Sequence, residues 1–592
     1  MNPATLFASI FVDELARLPL SGVVICPGSR STPLTVAFSR QQALPVYVHL
    51  DERAAAYFAL GMALETDRPA AVVTTSGTAA ANLHPAVLEA DRAHVPLLLL
   101  TADRPPELRD SSANQTTDQV KLYGGAVRWY AEMPLPEAAP SGRLLRALRA
   151  AADRAVAATL GLNGSPGPVH LNFPFRKPLE PDGDEILPPT AAPNGAHNMA
   201  IRNPLGVLGR TPGRPLATVA LAPRQPSPPQ VATLAAQIRA HRRGVIIAGP
   251  QAALAPRAGA ALRRFADRAG YPLLADALSG ARFGAANHPL TLAAHPLFLA
   301  AGLPAAPPPE IVFLFGAPPV STATLTFLAN LPPDAEVVAV SPFPAWPDPQ
   351  FRLSHWLAAD ALLTLRALTE ALQDSPPADE PWLAAWQTAE RVTRQAIAAA
   401  PLTEGTLVAA LAQALPADAR LFIGNSLPVR HLDEYAPPAA APRRVFAHRG
   451  LSGIDGLVSS AAGIAAAGHR PTVLVLGDLS LLHDIGGLLA VRRFGLNNLQ
   501  IVALNNNGGG IFQRLPIARH EPPFTAMFRT PHGLTFAPAA ALYGLTYRRT
   551  QAAELPSMLR RALESGQPHL LEVPTDAEAH EEARQQLLEA LR

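Results

Sequence analysis

Cysteine is nearly missing from this chain: Cys26 is the single one among 592 residues. A lone cysteine excludes an intrachain disulfide and a cysteine-based zinc site. It fits a reducing compartment, so a cytoplasmic location is expected. Long apolar runs are lacking too. No stretch of about 18 apolar residues is free of charge or proline, so no membrane span is expected. The N-terminus, MNPATLFASIFVDELARL, has no basic leader region and carries Asp13 and Glu14. Phe7, Ile10, Phe11, Leu15 and Leu18 share one helical face there, the pattern of an amphipathic domain helix and not of a signal peptide. Excess charge of either sign is absent: 49 basic and 47 acidic residues leave +2. No basic tract stands out, so no nucleic-acid partner is expected. The sequence also lacks a Walker A motif, a G-x-G-x-x-G after the first strand, and an H-E-x-x-H pair among its 17 histidines.

What is present is apolar and rich in proline. Hydrophobic residues make up 48% and prolines number 63, about twice ordinary usage. The length is too great for one core, and about three or four domains are expected. Residues 1–180 alternate strands (Gly22–Ile25, Val46–Leu50, Ala71–Thr75, Pro96–Thr101, Val169–Asn172) with helices, which predicts a largely parallel sheet covered on both faces. Residues 181–228, rich in Pro, Gly and Ala, read as a linker. A second α/β block spans 229–372, with strands at Gly244–Ala248, Pro272–Ala275, Ile311–Phe315 and Glu336–Val340. Residues 373–381 are a second linker. The third block, 382–592, has strands at Leu421–Gly424, Val473–Leu476, Ile501–Leu504 and His569–Val573, and ends in a charged helix expected to be exposed. No repeat of 20–50 residues is evident.

Within the third block, Val473–Leu515 reads as strand, turn, helix (Leu482–Phe494), strand, turn. Two parallel strands thus bring Gly477-Asp478 and the run Asn505 to Gly510 to one carboxyl edge, where α/β sheets bind ligands. One carboxylate, one amide oxygen and one backbone carbonyl suit a hard divalent ion. The glycines admit a diphosphate close to the backbone. An ordinary βαβ unit with polar strand ends has the same outline.

Elsewhere, Glu52 follows a strand directly and opens a helix. A helix dipole favours a carboxylate there. With Val48, Leu50, Ala54, Ala55 and Ala56 around it, the same carboxyl is placed in an apolar setting where it can exchange a proton with a ligand nitrogen. Ser76-Gly77-Thr78 is either an anion site at a helix start or a plain capped turn. Arg30, Arg104, Arg430 and Arg449 lie in turns after strands, where guanidinium groups suit carboxylates; surface loops hold such arginines as well. Asn114 and Gln115 can add amide hydrogen bonds. The turn from Gly450 to Gly456 carries one large apolar residue inside it, Ile454, which either wedges under a ligand or anchors the loop. It is no G-x-S-x-G elbow. Packing roles are expected for His49, His448 and His483.

Together these pieces resemble the thiamine-diphosphate enzymes of the pyruvate-decarboxylase and acetolactate-synthase type. The spacing of Gly477-Asp478 and Asn505-Asn506 is that family's. The segments that carry the likeness are CPGSRSTPL (26–34), HLDERAAAYFALGMA (49–63), TTSGTAAANLHPAVLEA (74–90), TADRPPELRDSSANQTTDQ (101–119), GNSLPVR (424–430), HRGLSGIDG (448–456), GDLSLLHD (477–484) and NNNGGGIFQRLP (505–516). They are most similar to the branch that decarboxylates 2-oxoglutarate and adds the succinic-semialdehyde carbanion to isochorismate in menaquinone biosynthesis. Gly-Asp-Leu replaces the wider family's Gly-Asp-Gly, as in that branch.

The resemblance implies three doubly wound parallel-sheet domains, an enzyme of the transferase class, and a homodimer or dimer of dimers. It implies thiamine diphosphate and Mg²⁺ (or Mn²⁺) as cofactors. Glu52 would bond the aminopyrimidine, and Ile454 would hold the cofactor bent. Ser76, Gly77, Thr78, Ser426, Gly477, Asp478, Leu479 and Ser480 would complete the cofactor site, and Asp478, Asn506 and the Gly508 carbonyl would bind the metal; Asn505 is the alternative to Asn506. Substrate contacts would come from Ser29, Arg30, Arg104, Asn114, Gln115, Ser426 and Arg430, with Ile511, Phe512 and Leu515 as an apolar wall. Arg430 and Arg449 join Glu52 in the reaction. One position departs from the pattern: Thr322 stands where the family often has a lysine. Another thiamine-diphosphate 2-oxo-acid decarboxylase or carboligase is the alternative within enzymes, and a non-catalytic nucleotide- or diphosphate-binding regulator is the alternative outside them.

Overall fold

The computed structural model describes residues 2–182, 209–210, 213–252, 258–373 and 379–592. Most of the expected first linker and residues 374–378 of the second lie outside the described residues. The described residues form three sheets of six strands. The first holds β1 (Gly22–Ile25), β2 (Val46–Val48), β3 (Ala70–Thr74), β4 (Leu97–Asp103), β5 (Trp129–Glu132) and β6 (Pro168–Pro174), in the order β2-β1-β3-β4-β6-β5. The second holds β7 (Gly244–Ala248), β8 (Leu273–Ala275), β9 (Thr291–Leu292), β10 (Ile311–Phe315), β11 (Glu336–Val340) and β12 (His355–Leu357), in the order β12-β11-β10-β7-β8-β9. The third holds β13 (Arg420–Ile423), β14 (Val445–Phe446), β15 (Thr472–Gly477), β16 (Leu499–Asn505), β17 (Thr546–Arg549) and β18 (His569–Pro574), in the order β14-β13-β15-β16-β18-β17. Every pairing in the three sheets is parallel.

Sequence pattern locates all the interior strands. Buried on both faces, they read as largely apolar runs; β3, β4 and β6 are buried throughout. The strands it misses are β5, β9, β12, β14 and β17, and all five are edges. β9 and β14 are two residues long, and β17 ends in two exposed arginines, so none carries a long apolar run.

Two helical expectations change. The single helix over Leu482–Phe494 is three pieces: Asp478–His483, a 3₁₀ turn at Ile485–Gly487, and Leu488–Arg493. The break falls at buried Asp484, whose carboxylate accepts the Ser459 amide at 2.7 Å and its hydroxyl at 3.0 Å; Gly486-Gly487 then favours the tighter turn. The final helix, Ala577–Leu591, buries Ala577, His580, Leu587, Leu588 and Leu591, so it is exposed on one side only. Among the described residues no single helix is long and apolar enough to cross a membrane.

The chain divides into two compact units. One comprises Met1–Leu221, His448–His469 and His483–Leu496; the other comprises Ala222–Ala447, Arg470–Leu482 and Asn497–Arg592. The first contains sheet one, and the second contains sheets two and three. Two stretches of the expected third block, 448–469 and 483–496, thus group with the first unit.

Within the first unit, the helix that Glu52 opens, Glu52–Thr66, packs on the helix Leu457–Gly468. Glycine allows their closeness. A Cβ on Gly61 would lie 2.0 Å from the Ser460 carbonyl oxygen, and one on Gly463 would lie 2.0 Å from that of Phe58.

Candidate active site

Sheets one and three reverse their strand order between β1 and β3 and between β13 and β15. Crevices outside such carboxyl ends are where ligands settle. Each unit holds part of the expected residue set.

In the first unit, the loop after β1 leads to Arg30, and β4 runs directly into Arg104. Both are buried, at 8% and 6% exposure. The Arg30 Nη1 donates to the Phe175 carbonyl at 2.8 Å. Arg104 donates to the Ser76 hydroxyl and, at 2.8 Å, to the Asn114 carbonyl. Burial, and next the Arg104 guanidinium, push the Arg30 pKa below its usual value, with Asp103 opposing. Burial lowers that of Arg104 as well. Buried cations that cost each other charge favour an anionic ligand.

A polar ladder fixes these arginines. Asp103 accepts the Arg104 amide at 2.7 Å and the Asn172 amide at 2.8 Å, and pairs with Arg109 at 2.9 Å. Asn172 Oδ1 accepts from Thr101 and from Gln119, both at 2.9 Å. Gln119 in turn accepts the Gly77 N–H at 2.9 Å. That last bond alters the anion reading of Ser76-Gly77-Thr78. The Gly77 amide is taken up inside the protein, the Ser76 hydroxyl donates to the Gln115 carbonyl at 3.0 Å, and the helix beyond, Thr78–Ala81, is one turn. Thr78 is the exposed member of the three. Ser29, Asn114 and Gln115 are exposed at the same edge of the sheet. Gln119 and Asp103 escape sequence reasoning. Asn172, a polar residue inside a buried strand, is the one its sequence position could have flagged.

Glu52 begins its helix after Asp51, which caps it by accepting the Ala54 N–H at 3.1 Å. Glu52 is half-buried. Ala54, Ala55 and Ala56 are buried, but Leu50 is 59% exposed, so the apolar setting expected around Glu52 exists on one side only. Burial, and next the Glu52 and Asp51 carboxylates, push the Cys26 thiol well up, which keeps it protonated and unreactive. His49 packs against Phe58 and Phe494, and burial pushes its pKa down to about 4.

The turn carrying Arg449 and Ile454 is clamped in the same unit. Glu89 accepts the N–H groups of Gly450 and Leu451 at 2.8 and 2.7 Å. Tyr57 donates to Asp455 at 2.5 Å and stacks on His448, whose Nε2 meets the Ser460 hydroxyl at 2.8 Å. Gly456 has φ +67°, and a Cβ there would lie 2.0 Å from the Tyr57 ring; no other residue fits. Ile454 is half-buried. Glu52 and Ile454 are thereby carried by one packed pair of helices.

In the second unit, β13 ends in Gly424-Asn425-Ser426. Ser426 has φ +71° and ψ −128°, a conformation that strains any residue with a side chain and recurs at binding sites. Arg430 donates to the Ser426 carbonyl at 2.6 Å. On the next strands, Gly477 pairs in register with Leu504, which sets Asp478 and Asn506 at adjacent strand ends. Asp478 is buried. Its Oδ1 accepts the Leu479 N–H at 2.7 Å, and its Oδ2 accepts the Gly508 N–H at 2.9 Å and lies 3.2 Å from His532 Nε2. Burial raises the Asp478 pKa, against those bonds. Ser480 is buried behind it.

The two asparagines differ in what they leave available. Asn505 Nδ2 donates to Glu572 at 2.9 Å and to the Leu534 carbonyl at 3.0 Å, and Asn505 Oδ1 accepts the Asn507 N–H at 3.1 Å. Asn506 donates to Glu404 at 3.0 Å, and its Oδ1 is buried without a protein partner. A buried acceptor with no donor is costly, and a cation would satisfy it. Gly508 has φ +135°, and a Cβ there would lie 2.1 Å from the Arg529 carbonyl oxygen. Its own carbonyl accepts the Gly510 N–H at 2.9 Å and keeps a second lone pair. Among the described residues no cluster of three His, Cys, Asp or Glu side chains could hold a metal; the oxygen donors at this edge are Asp478, Asn506 Oδ1 and the Gly508 carbonyl. These residues fit a divalent ion. Beyond them Ile511 and Phe512 are half-buried, Phe512 against Phe528 at 5.5 Å, and Leu515 is 47% exposed. Thr322 opens the helix Thr322–Ala329 and is exposed.

Three family models match the chain. They are described as "Thiamine pyrophosphate enzyme, N-terminal TPP binding domain" (residues 6–122), "Middle domain of thiamine pyrophosphate" (222–423) and "Thiamine pyrophosphate enzyme, C-terminal TPP binding domain" (431–573). Similar curated proteins include two named 2-succinyl-5-enolpyruvyl-6-hydroxy-3-cyclohexene-1-carboxylate synthase. That of Roseiflexus sp. (strain RS-1) is 45% identical over 98% of this chain and 96% of its own. That of Halobacterium salinarum is 44% identical over 99% and 98%. Among solved structures, benzoylformate decarboxylase from Polynucleobacter necessarius aligns with a TM-score of 0.71 over 97% of this chain and 99% of that one. At 18% identity, that likeness shows the fold alone.

Proposed function

The chain belongs to the 2-succinyl-5-enolpyruvyl-6-hydroxy-3-cyclohexene-1-carboxylate synthase family of thiamine-diphosphate enzymes, and from that premise we propose that it decarboxylates 2-oxoglutarate and adds the four-carbon remainder to isochorismate in menaquinone biosynthesis. The observation that carries this reading is identity of 45% along 98% of the chain with a synthase of that name. When bound, thiamine diphosphate supplies the electron sink for the loss of carbon dioxide and for the carbon–carbon bond that follows.

The chain's own residues divide the remaining work. Asp478, Asn506 Oδ1 and the Gly508 carbonyl hold Mg²⁺ or Mn²⁺, an all-oxygen set such ions accept. Ser426, Gly477, Leu479 and Ser480 border the diphosphate. Glu52 would hold a proton at the aminopyrimidine, and Ile454 would support the cofactor from its clamped turn. Arg30, Arg104, Arg430 and Arg449 take the substrate carboxylates, Ser29, Asn114 and Gln115 add polar contacts, and Ile511, Phe512 and Leu515 face the ring of isochorismate. The working protein is a homodimer or a dimer of dimers in the cytoplasm, with domains 1–180, 229–372 and 382–592.

Release of ¹⁴CO₂ from labelled 2-oxoglutarate tests the reaction. Strong dependence on isochorismate is expected. Equal release without it makes the protein a simple 2-oxo-acid decarboxylase. Calorimetry tests the cofactor: thiamine diphosphate binding that needs no divalent ion removes the metal from the reading. Sedimentation tests the dimer, which a purely monomeric protein at micromolar concentration contradicts.

A further inference from the structure

Glu404 opens the helix Glu404–Ala414, far in sequence from any strand end of the site, and is 2% exposed. Its Oε1 accepts from Asn506 Nδ2 at 3.0 Å and from the Thr575 hydroxyl at 2.6 Å; its Oε2 lies 3.0 Å from His431 Nε2. A carboxylate only accepts hydrogen bonds. The amide nitrogen of Asn506 must therefore face Glu404, and the amide oxygen must face away. That oxygen is the buried atom with no protein partner. Glycine at 510 keeps this arrangement open: a Cβ there would lie 2.8 Å from Asn506 Nδ2. Burial opposes charge on Glu404, and hydrogen bonds from His431, Thr575 and Asn506 act against it and lower its pKa.

We propose that Glu404 is a positioning residue that sets the Asn506 amide with its oxygen toward the divalent ion. The inference rests on the metal reading above. Partners that orient a metal ligand are worth about 10–100-fold in metal affinity, and Glu404 acts at that level without touching ion or substrate.

The test is Mn²⁺ affinity, read from the free-ion electron paramagnetic resonance signal in the presence of thiamine diphosphate, with circular dichroism as the check on folding. Glu404→Ala is expected to weaken Mn²⁺ binding about 10–100-fold while thiamine diphosphate and the three metal donors remain present. Wild-type affinity in a folded Glu404→Ala protein overturns the proposal. Removing Glu404 strips partners from Thr575 and His431 too, so a second experiment covers a variant that fails to fold. In Glu404→Gln combined with Asn506→Asp, the amide and carboxylate change places: the glutamine nitrogen donates to one aspartate oxygen and leaves the other for the ion. The double variant is expected to bind Mn²⁺ more tightly than either single variant. If Asn506→Asp alone binds as well as the double variant, the pairing has no orienting role and the proposal falls. Wild-type protein that binds no Mn²⁺ beside thiamine diphosphate would defeat the metal reading itself; wild-type binding with an indifferent Glu404 defeats only this inference.

Discussion

Sheets one and three have the same strand order, each reversing between its first and third strands, yet their carboxyl edges carry opposite chemistry. The residue after β4 is Arg104; the residue after β16, the equivalent strand, is Asn506. The turn after β3 brings Ser76, held by Arg104; β15 runs straight into Asp478. One edge is built from buried cations steadied by Asp103 and Asn172. The other is built from a buried carboxylate and an unpaired amide oxygen. The topology is the same in both cases, and a few side chains at strand ends decide whether the edge presents cationic or anionic groups. Function resides in those substitutions and not in the topology.

Three variants press on that contrast. Glu52→Gln keeps the helix start but removes the exchangeable proton. It is expected to cut kcat by about 10²–10⁴-fold while leaving thiamine diphosphate affinity in calorimetry within a few-fold of wild type. Retained turnover would make Glu52 a mere helix-start residue. Asp478→Ala should cost about 10³-fold in kcat/KM, the several kcal/mol of a lost metal contact, and should abolish Mg²⁺-dependent cofactor binding. Arg104→Ala should do the reverse. Loss of a charge-assisted bond worth ~1.5–3 kcal/mol raises KM for the dicarboxylate substrates about 10–100-fold, with metal and cofactor binding intact. A variant at either edge that harmed both kinds of binding equally would erase the distinction between the sheets.

The smallest effect separates two carboxylates six positions apart in sequence, Asp478, proposed as a metal ligand, and Asp484, which is tied to Ser459. Burial, against the Ser459 hydrogen bonds, raises the Asp484 pKa from 3.8 to about 6. A carboxyl raised on folding favours the protonated native state. Its contribution is complete below pH ~4 and is lost as pH rises through 6. Between pH 5 and 7.5 the loss is roughly 1–1.5 kcal/mol. Asp484→Asn should therefore lose less melting temperature than wild type over that interval. Parallel curves would mean Asp484 is ionised at no cost in the native protein.

Sequence legibility followed the same physics. Strands with two buried faces were plain in the pattern, and edge strands such as β5 and β17 were not, because half-exposed residues need not be apolar. The positions of Asp478, Asn506 and Arg104 at carboxyl edges are readable from sequence because each sits where a buried run stops. Gln119 and Glu404 were not. Their partners Gly77 and Asn506 lie 42 and 102 residues away, and no spacing rule connects such positions before the chain is folded. Asp484 was unreadable for a related reason: it breaks an apolar-spaced helix only because Ser459 is folded against it.

The most direct measurement is mass detection of the product from 2-oxoglutarate and isochorismate with thiamine diphosphate and Mg²⁺. The two-edge account predicts a succinylated cyclohexene carboxylate that disappears when either substrate or Mg²⁺ is omitted. Succinic semialdehyde alone, formed at the same rate with isochorismate absent, would contradict it.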